Sequence, residues 1–265
     1  MTLELGTSKI LARAEDGVGW ITINQPERRN AMSLEMWQGL GAAAEALQAD
    51  PAVRVVVLHG AGGQSFAAGA DISEFEQHRA NAEQKLRYAE IASRAHRGLA
   101  RLDKPLVAMV QGFCIGGGLA LALAADLRFA GVGSRFGIPA ARLGLGYEYE
   151  GLAALARVVG PSAAKDLLFS ARQLEADEAL RIGLVNHLLP AEELEPAVRA
   201  YAARVAANAP LTVQAAKAAV RLFERYSAAD DSAVAAAVDR CFDSADYQEG
   251  RRAFMEKRNP VFQGR

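Results

Sequence analysis

The sequence predicts an α/β fold, a parallel sheet layered with helices, followed by a helical C-terminal third. Three observations carry this reading. Short apolar runs such as Val53–Leu58 and Pro105–Val110 recur through the first two-thirds and read as buried strands. Both runs enter glycine-rich turns, Gly60–Ile72 and Gln111–Gly118, about 45–50 residues apart. That arrangement suits parallel strands whose carboxyl ends lie side by side. From Ala191 onward the pattern is helical, broken at Pro210 and near Ala229-Asp230.

Ile10–Ala14 and Val18–Asn24 read as strands around Glu15-Asp16-Gly17, a hairpin signal. Pro26–Asn30 is a charged loop, and Ser33 is placed to cap a helix running to about Gln48. After the first glycine turn Asp71 can cap a short helix. A long helix is expected from about Ala80 to Leu102, ended by Asp103-Lys104-Pro105. The second glycine turn opens into Leu119–Ala125, rich in helix formers. Asp126–Ala130 and Ser134–Ile138 read as strands, and Ala140–Gly151 as loop. Helices resume at Leu152–Val159 and Ser162–Phe169, and Val185–Leu189 reads as a last strand. Right-handed crossovers between such units give a parallel sheet covered by helices.

With 265 residues, 51% of them hydrophobic, the chain can bury a full core. A formal net charge of -1 leaves no electrostatic footprint for nucleic acid. Cys114 and Cys241 are far apart and show no metal spacing, which suits a reducing, cytoplasmic setting. The N-terminus lacks the basic and apolar regions of a signal peptide, and no apolar run reaches membrane-spanning length.

Several chemistries are excluded by motif. Ser65 stands where a dinucleotide fingerprint needs its last glycine, and neither glycine turn ends in Gly-Lys-Ser/Thr. There is no Gly-x-Ser-x-Gly elbow and no His-Glu-x-x-His. His59, His78, His96 and His187 lack ligand spacing, and no metal is expected. The triplet Gly116-Gly117-Gly118 points elsewhere. It opens a helix, so unpaired N–H groups and the positive dipole end face whatever binds there. Such a site suits a carbonyl oxygen that gains negative charge.

Phe66–Ile72 (FAAGADI) and Gln111–Gly118 (QGFCIGGG) resemble the crotonase family, the enoyl-CoA hydratase/isomerase superfamily. Asn24–Met32 and Glu178–Asn186 resemble its early and late signatures, so the likeness covers nearly the whole chain. The resemblance implies a spiral of β-β-α units over residues 1–195, and a C-terminal helical region, 196–265, used for trimerisation. It implies an acyl-CoA thioester substrate, a homotrimer or dimer of trimers, and no cofactor beyond the coenzyme A moiety. By the same resemblance the N–H groups of Ala70 and Gly117 hold the thioester oxygen. Arg28, Arg29, Ala68, Ala70, Asp71, Ile72 and Gly116 border the CoA, and Phe254 and Lys257 reach a CoA on a neighbouring subunit.

The sequence departs from the family's hydratases at two places. Their paired carboxylates align with Ala120 and Ala140, whose methyl groups cannot move a proton or hold a water. The remaining acid is Glu148, at the position where isomerases of the family often place a single carboxylate, and Tyr147 matches a tyrosine of a decarboxylase branch. The expected reaction is therefore enoyl-CoA double-bond isomerisation. Decarboxylation, hydration with unusual groups, and a catalytically silent CoA-binding protein are the alternatives.

Overall fold

The computed structural model describes residues 2–74, 82–142, 149–224, 240, 243–256, 258 and 260–265. Among these residues eleven strands form two sheets. The larger has seven strands in the order β1-β2-β3-β4-β6-β8-β11: Thr2–Leu3, Ile10–Glu15, Val18–Ile23, Val55–Gly60, Leu106–Val110, Leu127–Gly131 and His187–Leu189. The hairpin at Glu15-Asp16-Gly17 makes β2 and β3 antiparallel. From β3 onward the pairings are parallel, with Val57 opposite Val107 and Met109 opposite Phe129.

The second sheet has four short strands in the order β10-β9-β7-β5: Gln173–Glu175, Arg135–Gly137, Phe113–Ile115 and Ser65–Ala67. Both glycine turns therefore contain a strand, which corrects their reading as turns alone. β5 and β7 run parallel, with Ser65 opposite Phe113. Strands of three residues are too short to show a period of two, so turn composition dominates the sequence there. Of the expected loop Ala140–Gly151, residues 143–148 lie outside the described residues, and the two ends differ from expectation. Pro139–Arg142 forms a 3-10 turn and a helix begins at Tyr149.

The apolar run Val55–Leu58 is unbroken because both faces of its strand are covered. Val56 and Leu58 join a core with Ile21, Ile23, Met36 and Leu40 on the side of α1 (Leu34–Ala49) and α2 (Ala82–Ala100). Val55 and Val57 face the other way and pack with Val107, Leu194, Val198 and Ala202. The last three lie on α6 (Ala191–Ala206), which crosses residue 195 and lies against the sheet on both sides of that position.

The short helix α3 (Gly117–Leu123) follows β7. Then come α4 (Tyr149–Ser170), kinked at Gly160 as the reading of two helices expects, and α5 (Ala176–Arg181). α7 (Pro210–Glu224) and α8 (Ala245–Glu256) complete the chain. Buried and half-buried cations fasten these pieces. Arg128 donates to the carbonyls of Leu184, Ala122 and Ala125. Lys104 caps the end of α1 through the carbonyls of Leu47 and Asp50. Lys217 of α7 donates to the Lys104 carbonyl and to Asp126, and Arg221 to the carbonyls of Ala100 and Leu102. Among the described residues no helix is long and apolar enough to cross a membrane.

Candidate active site

The site lies where β5 and β7 end. Ala67 pairs with Cys114 across the two strands, and the chain leaves one toward Ala70 and the other toward Gly117. Gly116 has φ 56° and ψ -118°, a conformation that only glycine adopts without strain, and it turns the chain into α3. Its N–H donates to the Gly137 carbonyl of β9. Gly118 sits so close to β5 that a methyl group there would lie 2.0 Å from the Ala67 carbonyl oxygen. Gly117 has more room. A methyl group on it would lie 3.9 Å from the Ala70 nitrogen and 3.8 Å from the Trp37 ring.

Ala70 belongs to an isolated parallel bridge with Met32. The Met32 N–H donates to the Gly69 carbonyl at 2.7 Å, and the Asp71 N–H to the Met32 carbonyl at 2.9 Å. In such a bridge the middle residue turns its own N–H away from the partner strand. The Ala70 N–H thus points away from Met32, to the side where Gly117 lies. Neither the Ala70 nor the Gly117 N–H has a hydrogen-bond acceptor among the described residues. Both residues are half-buried. Two backbone donors so arranged can serve one oxygen, and Gly117 adds the dipole of a helix start.

Side chains hold the Ala70 turn. Asp71 accepts from the Ser73 N–H and hydroxyl, which confirms the expected cap, and from Arg28 at 3.0 Å. Burial pushes the Asp71 carboxyl up, but the Ser73 and Arg28 donors outweigh it and hold the pKa below its ordinary value. Glu74 accepts from the Leu34 N–H at the start of α1, beside the Ser33 cap. Asn30 is fully buried. It accepts from the Gln25 N–H and donates to the carbonyls of Ala61 and Ser65, which ties the early loop to the first glycine turn.

The nominated residues fall into three groups. Ala68, Ala70, Asp71, Gly116 and Gly117 come together in the described structure. Arg28 joins them through Asp71. Arg29 is exposed, and its guanidinium lies 5.3 Å from the centre of the Phe113 ring. It also lines an open cleft of about 310 Å³ with Pro26, Glu27, Gly62 and Gln64, set apart from the two donors. Ile72 opens the 3-10 turn Ile72–Glu74, and Phe254 falls within α8. Their side chains, together with Tyr147, Glu148 and Lys257, lie outside the described residues.

Ala120 is half-buried in the first turns of α3, and Ala140 is buried in the 3-10 turn three residues beyond Gly137. His96 hydrogen-bonds to the Ala120 carbonyl, His59 to the Thr22 hydroxyl, and His187 stacks on Phe129. His78 lies outside the described residues. Among those residues no three His, Cys, Asp or Glu side chains converge as metal ligands. Cys114 is fully buried, and burial pushes its thiol pKa up, which makes it unreactive.

Sequence reasoning did not assign roles to Asn30, Trp37, Ser73 and Tyr88. A signal existed for Asn30, because asparagine tolerates the left-handed backbone it adopts here, at φ 56°. No local pattern marks Trp37 or Tyr88, whose partners are distant in sequence.

A chain that pairs two strand-end backbone donors in this way matches a known class. The sequence profile of the enoyl-CoA hydratase/isomerase family matches residues 13–265. The chain belongs to that family of acyl-CoA enzymes. It is 36% identical over 256 residues to a crotonyl-CoA hydratase of Syntrophomonas wolfei subsp. wolfei, covering 96% of this chain and 97% of that one. It is 36% identical over 255 residues to a short-chain-enoyl-CoA hydratase of Clostridium acetobutylicum, covering 95% and 96%. A solved enoyl-CoA hydratase/carnithine racemase of Magnetospirillum magneticum superposes with a TM-score of 0.91 at 38% identity, over 98% of this chain and 97% of that one.

Proposed function

We propose that the Ala70 and Gly117 N–H groups bind the thioester oxygen of an acyl-CoA and stabilise the enolate formed from it. The observation that carries this reading is the pair of unpartnered, half-buried donors at the ends of β5 and β7. Each such donor lowers the barrier by about 3–4 kcal/mol when aimed at the developing charge. Arg28, Arg29, Ala68, Asp71, Ile72 and Gly116 border the CoA, and Phe254 and Lys257 approach it from a neighbouring subunit. No cofactor beyond the CoA moiety takes part.

The reaction we propose is enoyl-CoA double-bond isomerisation. Glu148 removes a proton beside the thioester-activated carbon and returns it two carbons away, with Tyr147 next to it. Support comes from Ala120 and Ala140, which leave no carboxylate at the two positions where the family's hydratases carry theirs. The names of the relatives favour a second reading, hydration, which here must draw its acid and base from other groups. A third, decarboxylation, would generate the same enolate without a strong base.

We also propose that the β-β-α units wind as a spiral and that residues 196–265 mediate trimerisation, with or without pairing of trimers. Val220 and Phe223 on α7, 57% and 78% exposed, support an intersubunit use of that helix.

One assay tests the chemistry. Purified protein is mixed with a 3-enoyl-CoA, and the ultraviolet absorbance of the conjugated 2-enoyl product is followed in the wild type and in Glu148→Ala. Absorbance that rises only in the wild type establishes isomerisation and its base. Equal rise in both removes Glu148 from the mechanism. No rise, with loss of absorbance from crotonyl-CoA instead, establishes hydration.

A further inference from the structure

We infer that Tyr88 is a positioning residue for the Ala70 N–H, acting through the Met32 carbonyl and held in turn by Trp37. The inference rests on the reading of Ala70 and Gly117 as the donors to a thioester oxygen. Tyr88 lies on α2 and Trp37 on α1, 51 residues apart in sequence. The Trp37 indole N–H donates to the Tyr88 hydroxyl at 2.9 Å, and that hydroxyl donates to the Met32 carbonyl at 3.3 Å. All three residues are buried: Trp37 is 6% exposed, Tyr88 4% and Met32 0%. Water does not compete for such groups, and chained hydrogen bonds in a low-dielectric interior reinforce one another.

Met32 matters because it is the rail on which the Ala70 peptide lies. Its N–H donates to the Gly69 carbonyl, which belongs to the same peptide unit as the Ala70 N–H. Its carbonyl accepts from Asp71 on the other side. A carbonyl has two lone pairs, and here the Asp71 N–H and the Tyr88 hydroxyl take both. Tyr88 therefore fixes the rail from the helix layer, while Asp71 fixes it from the turn. The same relay reaches the other half of the site, because the Trp37 ring stands 3.8 Å from where a methyl group on Gly117 would lie. Misplacing a donor by a fraction of an ångström weakens its bond to an oxyanion more than its bond to a neutral carbonyl. Loss of the Tyr88 hydroxyl should thus weaken polarisation of a bound thioester more than it weakens binding.

The probe is 4-(dimethylamino)cinnamoyl-CoA, a conjugated thioester whose absorption moves to the red when its carbonyl is polarised. The wild type should show a red shift on binding. Tyr88→Phe should lose at least about half of that shift while its dissociation constant changes by no more than about threefold. Trp37→Phe, which keeps the bond from Tyr88 to Met32, should retain most of the shift. If Tyr88→Phe fails to fold because the indole N–H is left unpaired, the double variant Trp37→Phe/Tyr88→Phe removes that donor and should show the same loss. A full red shift in Tyr88→Phe or in the double variant overturns the inference and leaves the oxyanion reading standing. No red shift in the wild type, with the thioester shown to bind, overturns the oxyanion reading itself.

Discussion

The Ala70 turn is fixed by side chains that bond to backbone, whereas the Gly117 turn is fixed by side chains that are missing. Asn30, Asp71, Ser73, Glu74 and Tyr88 all hold the first turn or the segment bridged to it. The second is set by Gly116, whose backbone angles exclude other residues, and by Gly118, whose missing methyl lets α3 meet β5. A turn shaped by hydrogen bonds can be weakened in steps. A turn shaped by close approach has no intermediate setting, since a carbon atom either fits or does not.

Gly118→Ala should show the largest effect. The added methyl would stand 2.0 Å from the Ala67 carbonyl oxygen, and a Cβ is fixed by its own backbone just as that oxygen is. No rotamer relieves that contact, so β5 and α3 must separate. We expect a loss of about 3 kcal/mol or more, at the upper end of overpacking effects, seen as a much lower denaturant midpoint or as insoluble protein. A variant that melts like the wild type would break the comparison.

Asn30→Ala should come next. It removes an acceptor for the Gln25 N–H and two donations to the carbonyls of Ala61 and Ser65, in a fully buried setting. It also leaves alanine at φ 56°, where its Cβ is disfavoured. The sum is about 3 kcal/mol, with folding retained, and chemical denaturation measures it. Hydrogen exchange should quicken first in residues 61–70, the segment Asn30 holds.

Gly117→Ala sharpens the contrast because it is one residue from Gly118 and should behave oppositely. Its nearest neighbour is 3.8 Å away, so stability should change by less than about 1 kcal/mol. The methyl would nonetheless lie 3.9 Å from the Ala70 nitrogen, beside the proposed oxygen site. Turnover, or the red shift of the bound cinnamoyl thioester, should fall by about a hundredfold or to baseline, comparable to removing one donor. Measured together, melting temperature and probe binding separate the glycine that supports the fold from the one that faces the ligand.

The same division explains what the sequence made legible. The three glycines stand out because nothing in helix propensity accounts for them, and the buried strands stand out as unbroken apolar runs covered on both faces. β9 is readable within the stretch Ser134–Ile138, but β5 and β7 lie inside glycine-rich segments whose turn-like composition hides them, and the three residues of β10 are too few to show a period. The Ser33 cap and the Asp71 cap are local and readable. Tyr88 is not. Its phenol works through a carbonyl 56 residues away, and only the packing of α2 on α1 brings them together.

The smallest effect should come from acid, and it should fall on one turn only. Burial raises the Asp71 pKa, but the Ser73 and Arg28 donors lower it further, so the folded value lies below the ordinary 3.8. A depressed folded pKa means that the ionised carboxylate stabilises the fold at all pH values above the unfolded pKa. That contribution is lost as pH falls from about 3.8 through the lower folded value. Arg28 is exposed, so solvent screening keeps the ion-pair part of the effect under about 1 kcal/mol. Asp71→Asn should remove this acid dependence while keeping an acceptor for Ser73. The Gly117 turn offers no carboxylate counterpart, because the only ionisable side chain within Gln111–Gly118 is the Cys114 thiol, which burial holds neutral. Amide exchange between pH 5 and 3 should therefore lose protection at Met32 and Asp71, whose N–H groups donate to the Gly69 and Met32 carbonyls, before it does so at Gly116 and Ala120, whose N–H groups donate to the Gly137 and Gly116 carbonyls. Simultaneous loss at both turns would mean that they are coupled more tightly than their separate supports imply.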